Sequence, residues 1–458
     1  METPTVHMHT LKIGIIDPSG SDRGSTYEVI KESLAERIHL LPPFTRKLLR
    51  VPGGFHRPVW LEDPDFNLGY HLRRVGLPSP GTMRELDELI GEIAGWPLDR
   101  SKPLWQMWVV EGLADGGVAF VTKIHHAAAD GVAASAMLAN VMDIGPEPHA
   151  RVRTVPLRNR VVRVPSGFEL IVGAFLDHLL NLRRLPGLLL RTIRNIRAVI
   201  ATRDLAVVRA PVPIKDVPKV SFNGSLSPRR GFATASLSLE DFKAVKNGFD
   251  VKMNDVVLAV VGGALRSYLL DRGELPETSL AASVPVGTDD PEAGPRLMGN
   301  AVSNMFTSLG THLADPVERL HHVSRVTTEA KRNQATLGLD LMEQWVEYAP
   351  PGPLRAFMRA YERWGGANRH RPAVNCVVSN VPGPREPLYV AGAKLTGLYS
   401  VGPILPGIGL NVTVWSYVDR MNFSAMSCRE LLADPHDITD RIGKAIAELV
   451  SELPAGNS

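Results

Sequence analysis

Cysteine is nearly absent, since Cys376 and Cys428 are the two in 458 residues. Two thiols make neither a disulfide framework nor a metal-ligand cluster, so no metal centre is expected and a reducing compartment fits, with both thiols buried and inert. Long apolar runs are missing too: nothing approaches the roughly 18 consecutive apolar residues of a membrane-spanning helix. The opening Met1-Glu2-Thr3-Pro4-Thr5 lacks the basic start and apolar core of a signal peptide, and the expectation is a chain neither spanning a membrane nor secreted. Neither a GxGxxG nor a Walker fingerprint occurs, which leaves nothing to suggest a nucleotide cofactor. No serine or cysteine sits in a nucleophile-elbow context, which argues against a covalent acyl-enzyme.

What is present points to a mixed α/β protein. A prior of about 150 residues per domain suggests two or three units, and 44% hydrophobic residues can fill sizeable cores. The first domain is expected over 1–145, ending at the break Gly145-Pro146-Glu147-Pro148. An arginine-rich linker spans 146–219, and the second domain 220–458. In that second domain, residues 230–239, 280–286 and 374–379 read as strands, 254–270 as a buried helix, and 410–417 alternates apolar with polar.

The modest net charge of +3 conceals an uneven distribution. Residues 151–209 hold twelve arginines against Glu169, Asp177 and Asp204. Within them Leu189, Ile193, Ile196 and Ile200 recur at helical spacing, with Arg191, Arg194 and Arg197 on the other face. Such a helix can lie in a membrane interface with its arginines on anionic headgroups, or rest its apolar face on the protein core; the sequence leaves both open. No recognised nucleic-acid-binding motif accompanies the arginines, so no nucleic-acid partner is expected.

The most telling stretch is Lys123-Ile124-His125-His126-Ala127-Ala128-Ala129-Asp130-Gly131. Residues 117–124 are rich in β-formers and follow the turn signal Asp115-Gly116-Gly117, which predicts a strand; 132–142 is alanine-rich and unbroken, which predicts a helix. A strand-to-helix turn can hold one side chain rigidly towards a cavity, and Gly131 is expected to let the chain turn tightly there. Histidine, with both protonation states accessible near neutral pH, suits a reaction that takes a proton from a hydroxyl and returns it to a leaving group. The other pair, His321-His322, lacks a following Asp-Gly on an apparently helical segment and is given no function.

HHxxxDG resembles the signature of acyl-CoA-dependent acyltransferases, shared with chloramphenicol acetyltransferase-like enzymes and peptide-synthetase condensation domains. Pro103-Leu104-Trp105, Asn254-Asp255, Gly299-Asn300 and Ser379-Asn380-Val381-Pro382-Gly383-Pro384 narrow the resemblance to the bacterial wax ester synthase/diacylglycerol acyltransferase family, over nearly the whole chain. Gln106 departs from it, standing where an acidic residue is common, and less sequence than usual precedes the segment 6–17. The resemblance implies two chloramphenicol acetyltransferase-like subdomains with an active-site tunnel between them. It implies acyl transfer from acyl-CoA, a substrate and not a bound cofactor, to diacylglycerol or a long-chain alcohol. His126 would be the general base, His125 a supporting residue, and Asp130 a structural anchor paired with an arginine that the sequence does not identify.

Pro103, Leu104 and Trp105 are expected to pack or to wall the acceptor pocket. Asn254 and Asp255 are read as caps of the buried helix, and Asn380, Pro382 and Gly383 as a rigid turn that can line the tunnel. Lipid substrates imply a cytoplasmic protein held peripherally at the inner face of the cell membrane or at lipid droplets. Two other classes stay open: a condensation-type transferase fed by a carrier protein, and a non-catalytic lipid-binding member of the fold.

Overall fold

The computed structural model describes residues 2–20, 27–54, 56–147, 163–206, 208–289, 294 and 296–454. Alternation of apolar and polar positions builds two six-stranded sheets. The first runs in the order Tyr389–Val390, Ala393–Val401, His9–Asp17, Val118–His125, Trp105–Glu111, Leu72–Gly76. The second runs Arg230–Ser238, Arg420–Cys428, Leu410–Tyr417, Cys376–Val381, Ala281–Gly287, Val302–Ser308. Val118–His125 is buried along its whole length, and both of its edges are paired, antiparallel to His9–Asp17 and to Trp105–Glu111.

The halves interlock more than a cut between 145 and 220 allows. Ala393–Val401, which that division assigns to the second domain, pairs antiparallel with His9–Asp17, setting Ser400 opposite Lys12. In return, the helix Met83–Gly95 of the first half lies on the first strand of the second sheet. There the Asp87 carboxylate accepts from the Thr234 amide at 2.9 Å, and a Cβ on Gly91 would stand 2.9 Å from the Arg230 carbonyl oxygen. Pairing across so long a stretch of chain leaves no local periodicity to read.

The helix expected over 254–270 spans Met253–Asp271 and is buried along most of its length against the second sheet. It is long and apolar enough to cross a membrane, but two thirds of it is buried inside the protein, as the core helix of a globular domain would be.

The linker contains the largest surprise. Residues 148–162 lie outside the described residues. Beyond them one helix runs for 39 residues, Gly167–Leu205, opened by a capping box of Ser166 and Glu169 and continuing through Pro186. It rests on the body through Leu188, which is buried, through Asn195, which donates to the Leu337 carbonyl at 2.8 Å, and through Thr192, which accepts from the Trp345 indole at 3.0 Å. Its apolar stripe therefore does not face the core: Leu189, Ile193, Ile196 and Ile200 are all exposed, as are Phe168 and Phe175.

Candidate active site

The histidine pair straddles the end of its strand. His125 is the last residue of Val118–His125, one position beyond the expected limit, and its amide donates to the Leu104 carbonyl at 2.9 Å. The His126 amide donates to the Met8 carbonyl at 2.6 Å, so both backbones are pinned by neighbouring strands. Side chains alternate across a strand, and the two imidazoles have different surroundings.

His125 is buried, its Nδ1 accepting the Ala127 amide at 3.0 Å, its Nε2 3.4 Å from the Arg100 guanidinium and 3.5 Å from the Glu2 carboxylate. An acceptor at Nδ1 places the proton of the neutral ring on Nε2. Burial, then Arg100, press its pKa down to about 3. This ring is a structural donor with no lone pair free for a substrate.

His126 is half-buried. Burial lowers its pKa, and nearby Lys12 lowers it further, while Asp130 and the Asn300 side chain act in the opposite sense. Below its ordinary value, the ring is an unprotonated base at neutral pH.

Asp130 organises the loop. Buried at the N-cap of the helix Gly131–Val141, it accepts the Ala133 amide on Oδ1 at 3.0 Å. Its Oδ2 accepts the Arg296 guanidinium at 2.6 Å and the Ala301 amide at 2.9 Å. Arg296 is the partner that the sequence left unnamed, and it also grips Asp289 at 2.6 Å. The Gly299 amide donates to the Ala128 carbonyl at 2.7 Å, and the Asn300 side chain to the His126 carbonyl at 2.7 Å. The loop joining Ala281–Gly287 to Val302–Ser308 is thus stitched to the histidine loop, and the Gly299-Asn300 block was the signal that could have led to Arg296.

Gly131 corrects an expectation. It begins the helix with an ordinary negative φ, so no left-handed turn requires it; a Cβ there would meet Val381 at 3.7 Å, ordinary van der Waals contact. Asn380 is likewise not in a turn. The strand runs Cys376–Val381, with Asn380 opposite Val414 in the parallel pairing, and the turn starts at Pro382, which is exposed. Gly383 is required by space, since a Cβ would stand 2.0 Å from the Ser416 carbonyl oxygen.

Pro103, Leu104 and Trp105 are buried. Trp105 stacks between Phe44, at 4.2 Å, and His71, at 4.6 Å, and its indole donates to the Phe44 carbonyl at 2.8 Å. With Ala128 and Ala133 in the same apolar cluster, it packs beneath the histidine loop. Asp255 closes the capping box at Lys252, accepting its amide at 3.1 Å, and takes the Ser324 hydroxyl at 3.0 Å; Asn254, expected as a cap too, is instead a half-buried residue of the first turn, because the helix starts at Met253 with Lys252 as its N-cap. The bonds of Asp255 run within the second half.

Beside the site lies an apolar cavity of about 710 Å³, open mouth included, between the first sheet and the helices Tyr27–Arg37 and Gly131–Val141. Thr122 and Ile124, on the strand that ends at His125, line it, with Leu34, Met137 and Met142. One charged group enters it: Lys12, buried, donating to Ser400 Oγ at 2.6 Å and 4.7 Å from the Trp415 ring, its pKa pushed down to about 7 by burial. Among the described residues no group of three or more metal-binding side chains occurs.

Known proteins match this chain across both halves. The family model of the wax ester synthase/diacylglycerol acyltransferase catalytic domain matches residues 1–257, and that of the family's C-terminal domain 298–450. Two Mycobacterium tuberculosis H37Rv relatives, both provisionally named diacylglycerol O-acyltransferases, are 40% and 35% identical; the first alignment covers 96% of this chain and 91% of the relative, the second 100% and 90%. The wax ester synthase/diacylglycerol acyltransferase of Marinobacter aquaeolei VT8 superposes with a TM-score of 0.68 at 27% identity, covering 98% of this chain and 95% of that one. The first condensation domain of the CDA synthetase, at 16% identity and a TM-score of 0.58 with 99% and 93% covered, shares the fold. This chain is an acyltransferase with two chloramphenicol acetyltransferase-like subdomains, and it belongs to the wax ester synthase/diacylglycerol acyltransferase family.

Proposed function

We propose that the protein moves a long-chain acyl group from acyl-CoA to diacylglycerol, to a long-chain alcohol, or to both, with His126 as general base and no bound cofactor. The observation that carries this is a half-buried imidazole whose pKa lies below its ordinary value, on a loop clamped through Asp130 and Arg296, directly after the strand whose Thr122 and Ile124 line an apolar cavity.

An alcohol is too weak an acid to attack a thioester unaided. His126 removes the hydroxyl proton as the oxygen bonds to the thioester carbonyl carbon. As the carbon–sulfur bond breaks, the imidazolium returns that proton to the departing thiolate, so the ring ends as it began. Such acid–base help is worth ~10²–10⁴ in rate. Acyl chain and acceptor held together in one apolar space supply much of the remainder. The exposed stripe on Gly167–Leu205, with Phe357 (63% exposed) on Pro351–Arg363 and Trp364 (69%) just after it, supports peripheral docking on the inner face of the cell membrane or a lipid droplet, where both acceptors reside.

The test is thiol release from palmitoyl-CoA by purified protein, with dioleoylglycerol or hexadecanol as acceptor and lipid products separated by chromatography. Acceptor-dependent release yielding triacylglycerol or wax ester is expected, lost in His126→Ala. No turnover with either acceptor would sink the reading, and activity restored only by an acyl-carrier protein would replace it with condensation-type transfer.

A further inference from the structure

On the far side of His125, a second, open pocket gathers four arginines: Arg50, Arg100, Arg355 and Arg359, with Glu2 and His7. Arg355 and Arg359 are one turn apart on Pro351–Arg363 and therefore share a face. Arg100 reaches furthest in, to His125, and burial followed by the proximity of Arg355 disfavours its charged form. Glu2 pairs with Arg100. Another nearby acid, Glu362, is occupied by the hydroxyls of Thr3 at 2.6 Å and Thr5 at 2.9 Å. Four guanidinium groups thus converge on a lining with one carboxylate, and like charges held together cost energy until an anion arrives. Arginine is the residue whose planar fork matches phosphate oxygens two at a time.

We propose that this pocket is a phosphate-binding site whose occupant is the phosphate-bearing half of coenzyme A. The assignment rests on the acyl-CoA reading above and deepens it. Coenzyme A carries its negative charge on the 3′-phosphate and the diphosphate, while the pantetheine arm is uncharged. Phosphates held by Arg355 and Arg359 leave that arm to run past Arg100 and His125 and around the sheet end to His126, the next residue in the chain. Glu2 is the group that an entering phosphate displaces from Arg100. A lipid headgroup phosphate carries the same chemistry, and Phe357 and Trp364 lie exposed nearby in sequence.

The test is calorimetric titration of the purified full chain with coenzyme A, with pantetheine and with inorganic phosphate, beside Arg355→Ala/Arg359→Ala and Arg355→Lys/Arg359→Lys. Coenzyme A is expected to bind at least about tenfold more tightly than pantetheine, the alanine pair to erase that margin, and the lysine pair, which keeps charge without the fork, to retain part of it. Unchanged coenzyme A affinity in the alanine pair, or a wild type that does not distinguish coenzyme A from pantetheine, overturns the site.

Phosphatidylcholine vesicles with and without phosphatidylglycerol form the second arm. An alanine pair that loses only the phosphatidylglycerol-dependent binding assigns the arginines to a lipid headgroup and overturns the coenzyme A assignment. Because binding is read without turnover, the two readings fail separately. Arginine-dependent coenzyme A binding by a protein that transfers no acyl group removes the reaction and leaves the site; acyl-CoA turnover indifferent to the arginines does the reverse.

Discussion

The face of the first sheet that carries His125 is filled, by an apolar core that gives way to buried polar groups around His125, whereas the opposite face, on which Thr122 and Ile124 lie, is apolar and hollow. Each face buries one lysine, and the two are treated differently. Lys123 donates to the Ile93 and Trp96 carbonyls, both at 2.8 Å, and lies 5.0 Å from the Trp108 ring. Lys12, with Ser400 as its hydrogen-bond acceptor, projects into the cavity. Burial pushes both down to about 7. The histidines divide in the same sense: His7, His9 and His125 stack or abut on the filled face, while His126 comes two residues after Ile124, which lines the hollow. Adjacent residues of the same type thus acquire opposite tasks, one ring committed to structure and one left with a lone pair for chemistry.

The sharpest way to break this comparison is at the clamp that holds the His126 loop. Asp130→Ala removes the helix cap and leaves Arg296 beside an emptied buried site, so a loss of about 3–5 kcal/mol is expected in denaturant unfolding, together with activity. Asp130→Asn keeps the cap and should lose less.

The filled face is expected to titrate. Burial lowers the pKa values of His7 and His125 to about 3 and that of His9 well below its ordinary value. The unfolded chain therefore binds more protons than the folded one below pH 6.5, and stability falls as pH drops from 6.5 towards 3. His7 and His125 each remove about 2 kcal/mol by pH 5, and His9 acts in the same direction. Unfolding midpoints measured at pH 7 and pH 5 check this, and His9→Gln should flatten the dependence.

On the hollow face, Lys12 lowers the pKa of His126. In Lys12→Met the acidic limb of the kcat/KM profile is expected to move to higher pH, with the plateau at neutral pH retained; an unmoved limb would remove Lys12 from the electrostatics of the base. The smallest effect on the fold should come from Ile193→Ser on the exposed stripe. Unfolding stability should stay within about 0.5 kcal/mol, while sedimentation with anionic vesicles decreases.

Five strands and the motif helix were legible because their signals are local. The strand 410–417 and the helix at Met253–Asp271 follow from alternation and unbroken apolar periodicity. His126 could be singled out because strand, turn and helix signals flank it. Arg296 could not, since its carboxylate partner is 166 residues away and two sheets must meet before they touch. The strand Ala393–Val401 was misplaced for the same reason, its register with His9–Asp17 being invisible to any local window. For Gly167–Leu205 the sequence left the apolar stripe free to face either a core or a membrane interface, and the structure turns it outward, with only a few contacts such as Leu188, Thr192 and Asn195 beneath the helix.

The division of labour between the two histidines is tested most directly by measuring kcat for acceptor-dependent thiol release and the free energy of unfolding side by side in His126→Asn and His125→Asn. His126→Asn is expected to lose ~10²–10⁴ in kcat with little change in stability. His125→Asn should lose the Ala127 amide contact and about 1–3 kcal/mol of stability, and keep most of its kcat where folded. Equal losses of kcat, or an active His126→Asn, would contradict the assignment of the base.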